Sequence, residues 1–368
     1  MRILTVLGAR PQFIKAAVVS RALDRWNADA PASDRITELI IHTGQHYDAN
    51  MSAVFFEELE LRKPAVNLNV GSGLHGATTA RMLAGVEEIV LAERPDWMLV
   101  YGDTNSTLAG ALAAAKLHVP VAHVEAGLRS YNRRMPEEIN RVLVDHVAEL
   151  LLCPTATSVE NLSREGIRKG VEQVGDVMFD ASLLYRDRAR CSSVICDRLG
   201  LRSREYVLAT CHRAENTDDR SRLEAILRAL RLLSDAMQVV LPLHPRTRRA
   251  VAAWGLEDLL QGPIVIEPLS YLDMIRLEID ARVVVTDSGG VQKEAFFFQV
   301  PCVTLRDETE WVETVATGWN RLVGAAPERI VDAVRQAAPP GHWPALYGDG
   351  ASGSRIVESL IAHGRRRE

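Results

Sequence analysis

The chain has 368 residues, 47% of them hydrophobic and 25% charged, with a formal net charge of −5. That length exceeds what one hydrophobic core usually serves, so two domains are expected. The slight acidity excludes a broad basic face for nucleic acid, and no stretch approaches the roughly 20 apolar residues needed to span a bilayer. The five cysteines, Cys153, Cys191, Cys196, Cys211 and Cys302, show neither CxxC nor Cys/His ligand spacing. Neither a zinc site nor a disulfide framework is indicated, and buried free thiols in a reducing compartment fit best, with the cytoplasm as the expected location.

Ile3 to Leu7 reads as a first strand. It is too short for a signal-peptide core and leads straight into Gly8-Ala9-Arg10-Pro11. Pro11 suits the first turn of the helix that follows to Leu23. Arg10 and Lys15 then stand near a helix N-terminus, where backbone N–H groups and the dipole attract anions. A phosphate partner would account for both cations, and solvated surface charge is the alternative. Strands follow at Glu38 to His42, Trp97 to Tyr101, Pro120 to His123 and Leu150 to Cys153, with helical periodicity over Gly76 to Glu93 and Ser106 to Lys116.

Such alternation predicts parallel strands joined by crossover helices, and in open parallel sheets ligands gather beyond the carboxyl ends of the strands. Three carboxylates fall there: Asp103, Glu125 and, in Met135-Pro136-Glu137-Glu138, Glu137. Several acids at one sheet edge suit proton transfer, since neighbouring like charges raise the pKa of one member. Each has a plainer reading. Asp103 could cap the next helix, Glu137 could pair with Arg141, and Glu125 could be a satisfied buried acid.

After Val174-Gly175-Asp176 the pattern restarts with strands at Val207 to Thr210, Gln238 to Leu241, Ile264 to Ile266, Arg282 to Val285 and Cys302 to Leu305. The reading is therefore α/β, two doubly wound Rossmann-like domains facing a cleft: residues 1–175, residues 176–351, and a final helical segment at 352–368 that packs back on the first domain. His212-Arg213-Ala214-Glu215-Asn216 and His244-Pro245-Arg246 both follow strands, and two histidines beside arginines point toward an anionic ligand. Beyond Val285, Thr286-Asp287-Ser288-Gly289-Gly290 opens a helix whose amides at Ser288, Gly289 and Gly290 can approach an anion closely. Glu294, about one turn on, could accept both hydroxyls of a ribose. An ordinary helix cap at Asp287 or Ser288 is the alternative. The Gly8 to Lys15 segment is not a GxGxxG fingerprint and no GxxxxGK[ST] loop occurs, so dinucleotide and P-loop readings lack their warrant.

Taken together these motifs resemble the non-hydrolysing UDP-N-acetylglucosamine 2-epimerases, a family of glycosyltransferase-B type fold. The resemblance runs in order from Gly8-Ala9-Arg10-Pro11 through Thr43-Gly44-Gln45-His46, Gly102-Asp103-Thr104, His123-Val124-Glu125-Ala126-Gly127-Leu128-Arg129, Pro136-Glu137-Glu138-Ile139-Asn140-Arg141, His212 to Asn216 and Asp287 to Gly290, ending at Arg306-Asp307. It implies inversion at C2 of a UDP-linked 2-acetamido sugar, through loss of UDP to a 2-acetamidoglucal and re-addition, with no metal or redox cofactor. Asp103, Glu125 and Glu137 match the family's acid/base carboxylates, and His212 matches its cleft histidine. Arg10, Lys15, Gln45, His46, Arg141, Arg213, His244, Ser288, Gly289, Gly290, Glu294 and Arg306 match substrate-binding positions.

Departures from the family pattern also carry expectations. An activator site is matched at Gln45, Arg213 and His244, but Asp48 replaces a second glutamine, so hyperbolic substrate dependence is expected. Arg133-Arg134-Met135-Pro136 and Arg306 to Glu313 resemble the subgroup that acts on UDP-2,3-diacetamido-glucuronate, whose C6 carboxylate would need a cation such as Arg129, Arg133, Arg134 or Lys293. UDP-N-acetylglucosamine is the expected substrate and the diacetamido uronate the alternative. A homodimer working on a UDP-sugar, with no nucleic-acid or membrane partner, is the expected setting. The rivals are a glycosyltransferase of the same fold, a hydrolysing epimerase and a non-catalytic nucleotide-sugar sensor.

Overall fold

The computed structural model describes residues 1–44 and 59–364, and of Arg10 the backbone only. Among these residues the chain forms two parallel sheets. Contacts divide it into two compact units, Met1–Ala181 with Ala345–Glu368, and Ser182–Pro344.

In the first unit the strand order is β3-β2-β1-β4-β5-β6-β7. The strands are β1 (Arg2–Leu7), β2 (Thr37–His42), β3 (Val66–Asn67), β4 (Trp97–Tyr101), β5 (Val121–Val124), β6 (Leu150–Cys153) and β7 (Val171–Gln173). All pair in parallel. The helices are α1 (Arg10–Asp29), α2 (His75–Glu93), α3 (Asn105–Lys116), α4 (Pro136–Val147) and α5 (Ala156–Arg164). Strands β1, β4 and β5 are almost wholly buried, which is why they read as continuous apolar runs rather than alternating ones.

In the second unit the order is β10-β9-β8-β11-β12-β13. It comprises β8 (Tyr206–Thr210), β9 (Gln238–Pro242), β10 (Ile264–Ile266), β11 (Val283–Thr286), β12 (Cys302–Thr304) and β13 (Asn320–Leu322), again all parallel. Helices α6 (Val177–Ser192) and α7 (Ile195–Arg198) lead into it, followed by α8 (Ala214–Thr217), α9 (Arg220–Ser234), α10 (Pro245–Trp254), α11 (Tyr271–Asp280), α12 (Gly289–Phe297), α13 (Val312–Ala316) and α14 (Pro327–Gln336).

A final helix, α15 (Ser352–Gly364), belongs to the first unit and packs on α1. Gly353 makes the approach close: a Cβ there would meet Val18 Cγ1 at 2.9 Å. Its amide donates to Asp180 Oδ2 at 2.8 Å.

The expectation of two doubly wound α/β domains thus holds, and the order of each sheet reverses at one place, between β1 and β4 and between β8 and β11. Such reversal points are where open α/β sheets bind their ligands, because the flanking crossovers leave to opposite faces and open a crevice at the carboxyl edge. The edges to inspect are therefore residues 8–10 with 102–105, and residues 211–213 with 287–290.

Candidate active site

In the first unit β4 and β5 run in register, with Tyr101 opposite Val124. Gly102-Asp103 and Glu125 therefore leave the sheet side by side. Asp103 does not cap α3; that task falls to Thr104, whose hydroxyl accepts from the Thr107 amide. The Asp103 carboxylate, with 29% of its side chain exposed, instead takes a hydrogen bond of 2.5 Å from Arg141 Nη2. Arg141 reaches it from α4 and shares its other amino group with Glu138 Oε2 at 3.0 Å.

Glu125 sits at φ 71°, a left-handed conformation that costs a residue with a Cβ on the order of 1 kcal/mol and persists only where the surroundings enforce it. Its amide and that of Ala126 both donate to the Leu152 carbonyl at the end of β6. Its carboxylate pairs with the Lys15 ammonium, both side chains being over nine-tenths buried. Gly102, at φ 62°, permits this: a Cβ there would stand 3.2 Å from Glu125 Oε2 and 3.3 Å from Lys15 Nζ.

The first helix start differs from a simple anion cradle. Gln12 turns back so that its Oε1 accepts from the amides of Gly8 and Ala9 at 2.8 and 3.0 Å, while its Nε2 donates to the Tyr101 carbonyl and to Thr107. Two amides that could have met a phosphate are thus already satisfied, and Lys15 is turned to Glu125. Glu137 lies partly exposed in the first turn of α4, one helical turn before Arg141. Its neighbour Glu138 is the buried one, accepting from the amides of Ser130 and Tyr131 at 2.9 Å each.

The edge of the second unit is built otherwise. Asp287, fully buried, caps nothing on α12. Its carboxylate accepts from the amides of His212 and Arg213 and from Asn216 Nδ2, all at 3.0 Å. Asn216 also donates to the Leu305 carbonyl, so one acid gathers the ends of β8, β11 and β12. Helix α12 then begins at Gly289 with no side-chain cap, which leaves its first turn suited to an anion. A Cβ at Gly289 would come within 3.8 Å of Arg213 Nη2, which places that guanidinium beside the helix start.

His212 and His244 face each other with ring centroids 5.3 Å apart. Burial lowers both from the usual histidine range. Arg213 and Arg246 add to the effect at His212 against the pull of Asp287, and His212 itself helps bring His244 down to about 4. Both are neutral at pH 7 and can act as hydrogen-bond donors or acceptors. Glu294 is buried and accepts from the Tyr271 hydroxyl at 3.1 Å, and Arg306, also buried, donates to Glu310 Oε2 at 2.9 Å.

The first edge therefore gathers Lys15, Asp103, Glu125 and Arg141, with Glu137 on the same helix as Arg141. The second gathers His212, Arg213, His244, Ser288, Gly289 and Gly290. Gln45 and His46 lie outside the described residues. Among the described residues no cluster of His, Cys, Asp or Glu could hold a metal ion, and no helix is long and apolar enough to cross a membrane.

Known proteins are similar to this chain over nearly its whole length. The family described as UDP-N-acetylglucosamine 2-epimerase matches residues 29–361. A UDP-2,3-diacetamido-2,3-dideoxy-D-glucuronate 2-epimerase of Pseudomonas aeruginosa is 52% identical, covering 98% of this chain and 99% of its own. The UDP-N-acetylglucosamine 2-epimerase of Methanocaldococcus jannaschii is 44% identical over 98% of this chain and 99% of its own. A crystal structure of the M. jannaschii enzyme in complex with UDP-GlcNAc and UDP superposes with a TM-score of 0.90 at 43% identity, covering 98% of this chain and all of that one. The chain belongs to the UDP-N-acetylglucosamine 2-epimerase family. Its activity class is epimerisation of a UDP-sugar, and its two α/β units are of the glycosyltransferase-B type.

Within this epimerase, the residues that hold the others are Gln12, Asn140, Asp145 and Asp287, a role that the sequence reading assigns to none of them. Asn140 Nδ2 donates to the Asp103 carbonyl at 2.9 Å. Asp145 bonds His123, Gly127 and Arg129 at once. The available signal was an acid or amide placed on the inner face of a helix or strand, where a charge is not left without partners. Arg129 is also placed differently from its expected candidacy for a sugar carboxylate. It is buried, forks onto both oxygens of Glu165 at 2.6 and 2.9 Å, and pairs with Asp145 at 2.7 Å.

Proposed function

We propose that the protein inverts C2 of UDP-N-acetylglucosamine without hydrolysing it. The observation that carries this reading is the pair of acids, Asp103 and Glu125, leaving the adjacent strands β4 and β5 at the carboxyl edge of the first sheet, each held by its own buried cation. In the reaction the C2 proton passes to a carboxylate as the C1–O bond to UDP breaks, giving 2-acetamidoglucal and UDP. UDP then adds back at C1 while another acid delivers a proton to the opposite face of C2. Asp103, Glu125 and Glu137 are the groups for these transfers, and an acid or base so placed is worth roughly 10²- to 10⁴-fold.

The second edge holds the leaving group. The uncapped start of α12 at Ser288, Gly289 and Gly290, with Arg213 beside it, takes the diphosphate as charge develops there. Glu294 takes the ribose hydroxyls, and neutral His212 offers an N–H to the departing oxygen. Arg10, Gln45, His46, His244 and Arg306 complete the contacts in this reading. The route uses only proton transfer and C–O bond exchange.

The diacetamido uronate is a second reading, favoured by the 52% identical Pseudomonas relative. Against it, Arg129 is committed to Glu165 and Asp145, and Lys293 is buried with its ammonium 4.0 Å from the centre of the Trp311 ring. Arg133 and Arg134 are exposed. Comparing kcat/KM for the two sugars decides: a preference above about 100-fold for the uronate, roughly 2.7 kcal/mol in transition-state binding, would establish the second reading. Formation of UDP-N-acetylmannosamine with no free sugar supports the first.

A further inference from the structure

Beneath the two strand-end acids lies a buried charged chain that the reaction as written does not use. His123, on β5, is wholly buried. Its Nε2 is 2.7 Å from the Gly102 carbonyl and its Nδ1 is 2.7 Å from Asp145 Oδ1. A carbonyl can only accept, so Nε2 donates. Asp145 is a carboxylate: burial alone would raise its pKa, but His123 and then Arg129 outweigh that and hold it below the usual range. Its other oxygen already accepts from Arg129 Nη1 and from the Gly127 amide. Both ring nitrogens are thus engaged, Nε2 by the Gly102 carbonyl and Nδ1 by the Asp145 carboxylate. The charged groups bonded around it are Asp145 on α4, Arg129 after β5 and, beyond Arg129, Glu165 after α5, with the Cys153 thiol of β6 also close to Asp145.

What this pair grips is specific. The Gly102 carbonyl belongs to the peptide that carries Asp103. The Gly127 amide closes the turn Glu125-Ala126-Gly127, whose first and last residues both have positive φ, 71° and 81°. Gly127 has no room for a side chain, since a Cβ would meet the Ser158 carbonyl at 2.4 Å. We propose that His123, held between the Gly102 carbonyl and Asp145, is a positioning residue that fixes Asp103 and Glu125 relative to one another. This rests on the reading that those two acids move the C2 proton. Displacement of a reacting group by about 1 Å can cost on the order of 10²-fold in rate.

The test separates positioning from mere support by reading what each turnover yields. His123→Asn keeps a donor at the Nδ1 position and drops the Gly102 contact, whereas His123→Gln keeps a donor near the Nε2 position and drops the Asp145 contact. With UDP-N-acetylglucosamine as substrate, both should lower kcat at least 10-fold and leave KM within about 3-fold. Both should also raise the fraction of turnovers that release UDP and 2-acetamidoglucal instead of completing reprotonation. A shortage of folded protein cannot change that fraction. Folded variants with the wild-type fraction would overturn the proposal, whatever their rate. A wild-type protein that epimerises no UDP-sugar would sink the functional reading instead. For that case, and for variants that do not fold, ¹⁵N-histidine NMR of the wild-type protein gives an independent readout. One ring whose Nε2–H proton is protected from exchange is expected, and finding no such ring would overturn the proposal.

Discussion

The two reversal-point edges share a topology and differ in how they handle charge. At the first, charged groups are already paired, Lys15 with Glu125, Arg141 with Asp103 and Glu138, and Arg129 with Asp145, which also bonds His123, and of these Asp103 alone keeps part of its side chain exposed. At the second, one buried acid, Asp287, is spent on backbone amides, the two histidines are neutral, and the helix start is uncapped. In the proposed reading, the same βαβ frame serves as an acid/base set at one edge and as a diphosphate receptor at the other. Preorganisation matters for proton transfer because geometry comes before pKa, while a helix start suits a diphosphate without any fixed counter-charge.

Breaking the first edge should have the largest effect. Asp103→Asn, Glu125→Gln and Glu137→Gln should each cost roughly 10²-fold or more in kcat. UDP affinity by calorimetry should stay near wild type, and a variant of normal rate would remove that residue from its role. Breaking the second edge should do the reverse. Glu294→Ala should weaken UDP binding by about 10- to 150-fold, the worth of a charge-assisted hydrogen bond of about 1.5 to 3 kcal/mol, with a smaller change in kcat at saturation. Unchanged calorimetric affinity would contradict the ribose assignment.

The histidines sharpen the contrast through pH. His244 has its folded pKa near 4 against an ordinary 6.5, and His212 shifts the same way. The unfolded chain then binds more protons across that window. The stability these rings contribute is full above about pH 6.5 and is lost as pH falls toward 4. Denaturant unfolding followed in the second unit should show this slope, and His244→Gln should flatten it; an unaltered slope would rule His244 out as its source. The smallest effect concerns activation. With Asp48 where the family has a second glutamine, initial rates should follow substrate hyperbolically, and a Hill coefficient clearly above one would show that the activator site works.

Much of the frame was legible in the sequence, because β1, β4, β8 and β11 are buried on both faces and announce themselves as apolar runs. The edge strands Val66–Asn67, Val171–Gln173 and Asn320–Leu322 were not read, since two or three partly exposed residues carry no period. Candidate site residues could be named by their place after strands. Their partners could not, because pairing is a matter of the folded sheet: Lys15 and Glu125 are 110 positions apart, and Arg141 lies 38 from Asp103. The expectation that the first helix start offers open amides failed to anticipate Gln12, whose side chain folds back onto Gly8 and Ala9. Asp287 was read as a possible cap, and what it holds instead lies 75 residues earlier in the chain.

The central claim is that C2 itself loses and regains its proton while the nucleotide stays in play. Incubating the protein with UDP-N-acetylglucosamine in deuterated water and locating the label by NMR tests it directly. Deuterium at C2 of the UDP-linked product, with UDP and 2-acetamidoglucal as minor side products, is the result expected. Epimerised product that retains its original C2 hydrogen would contradict it.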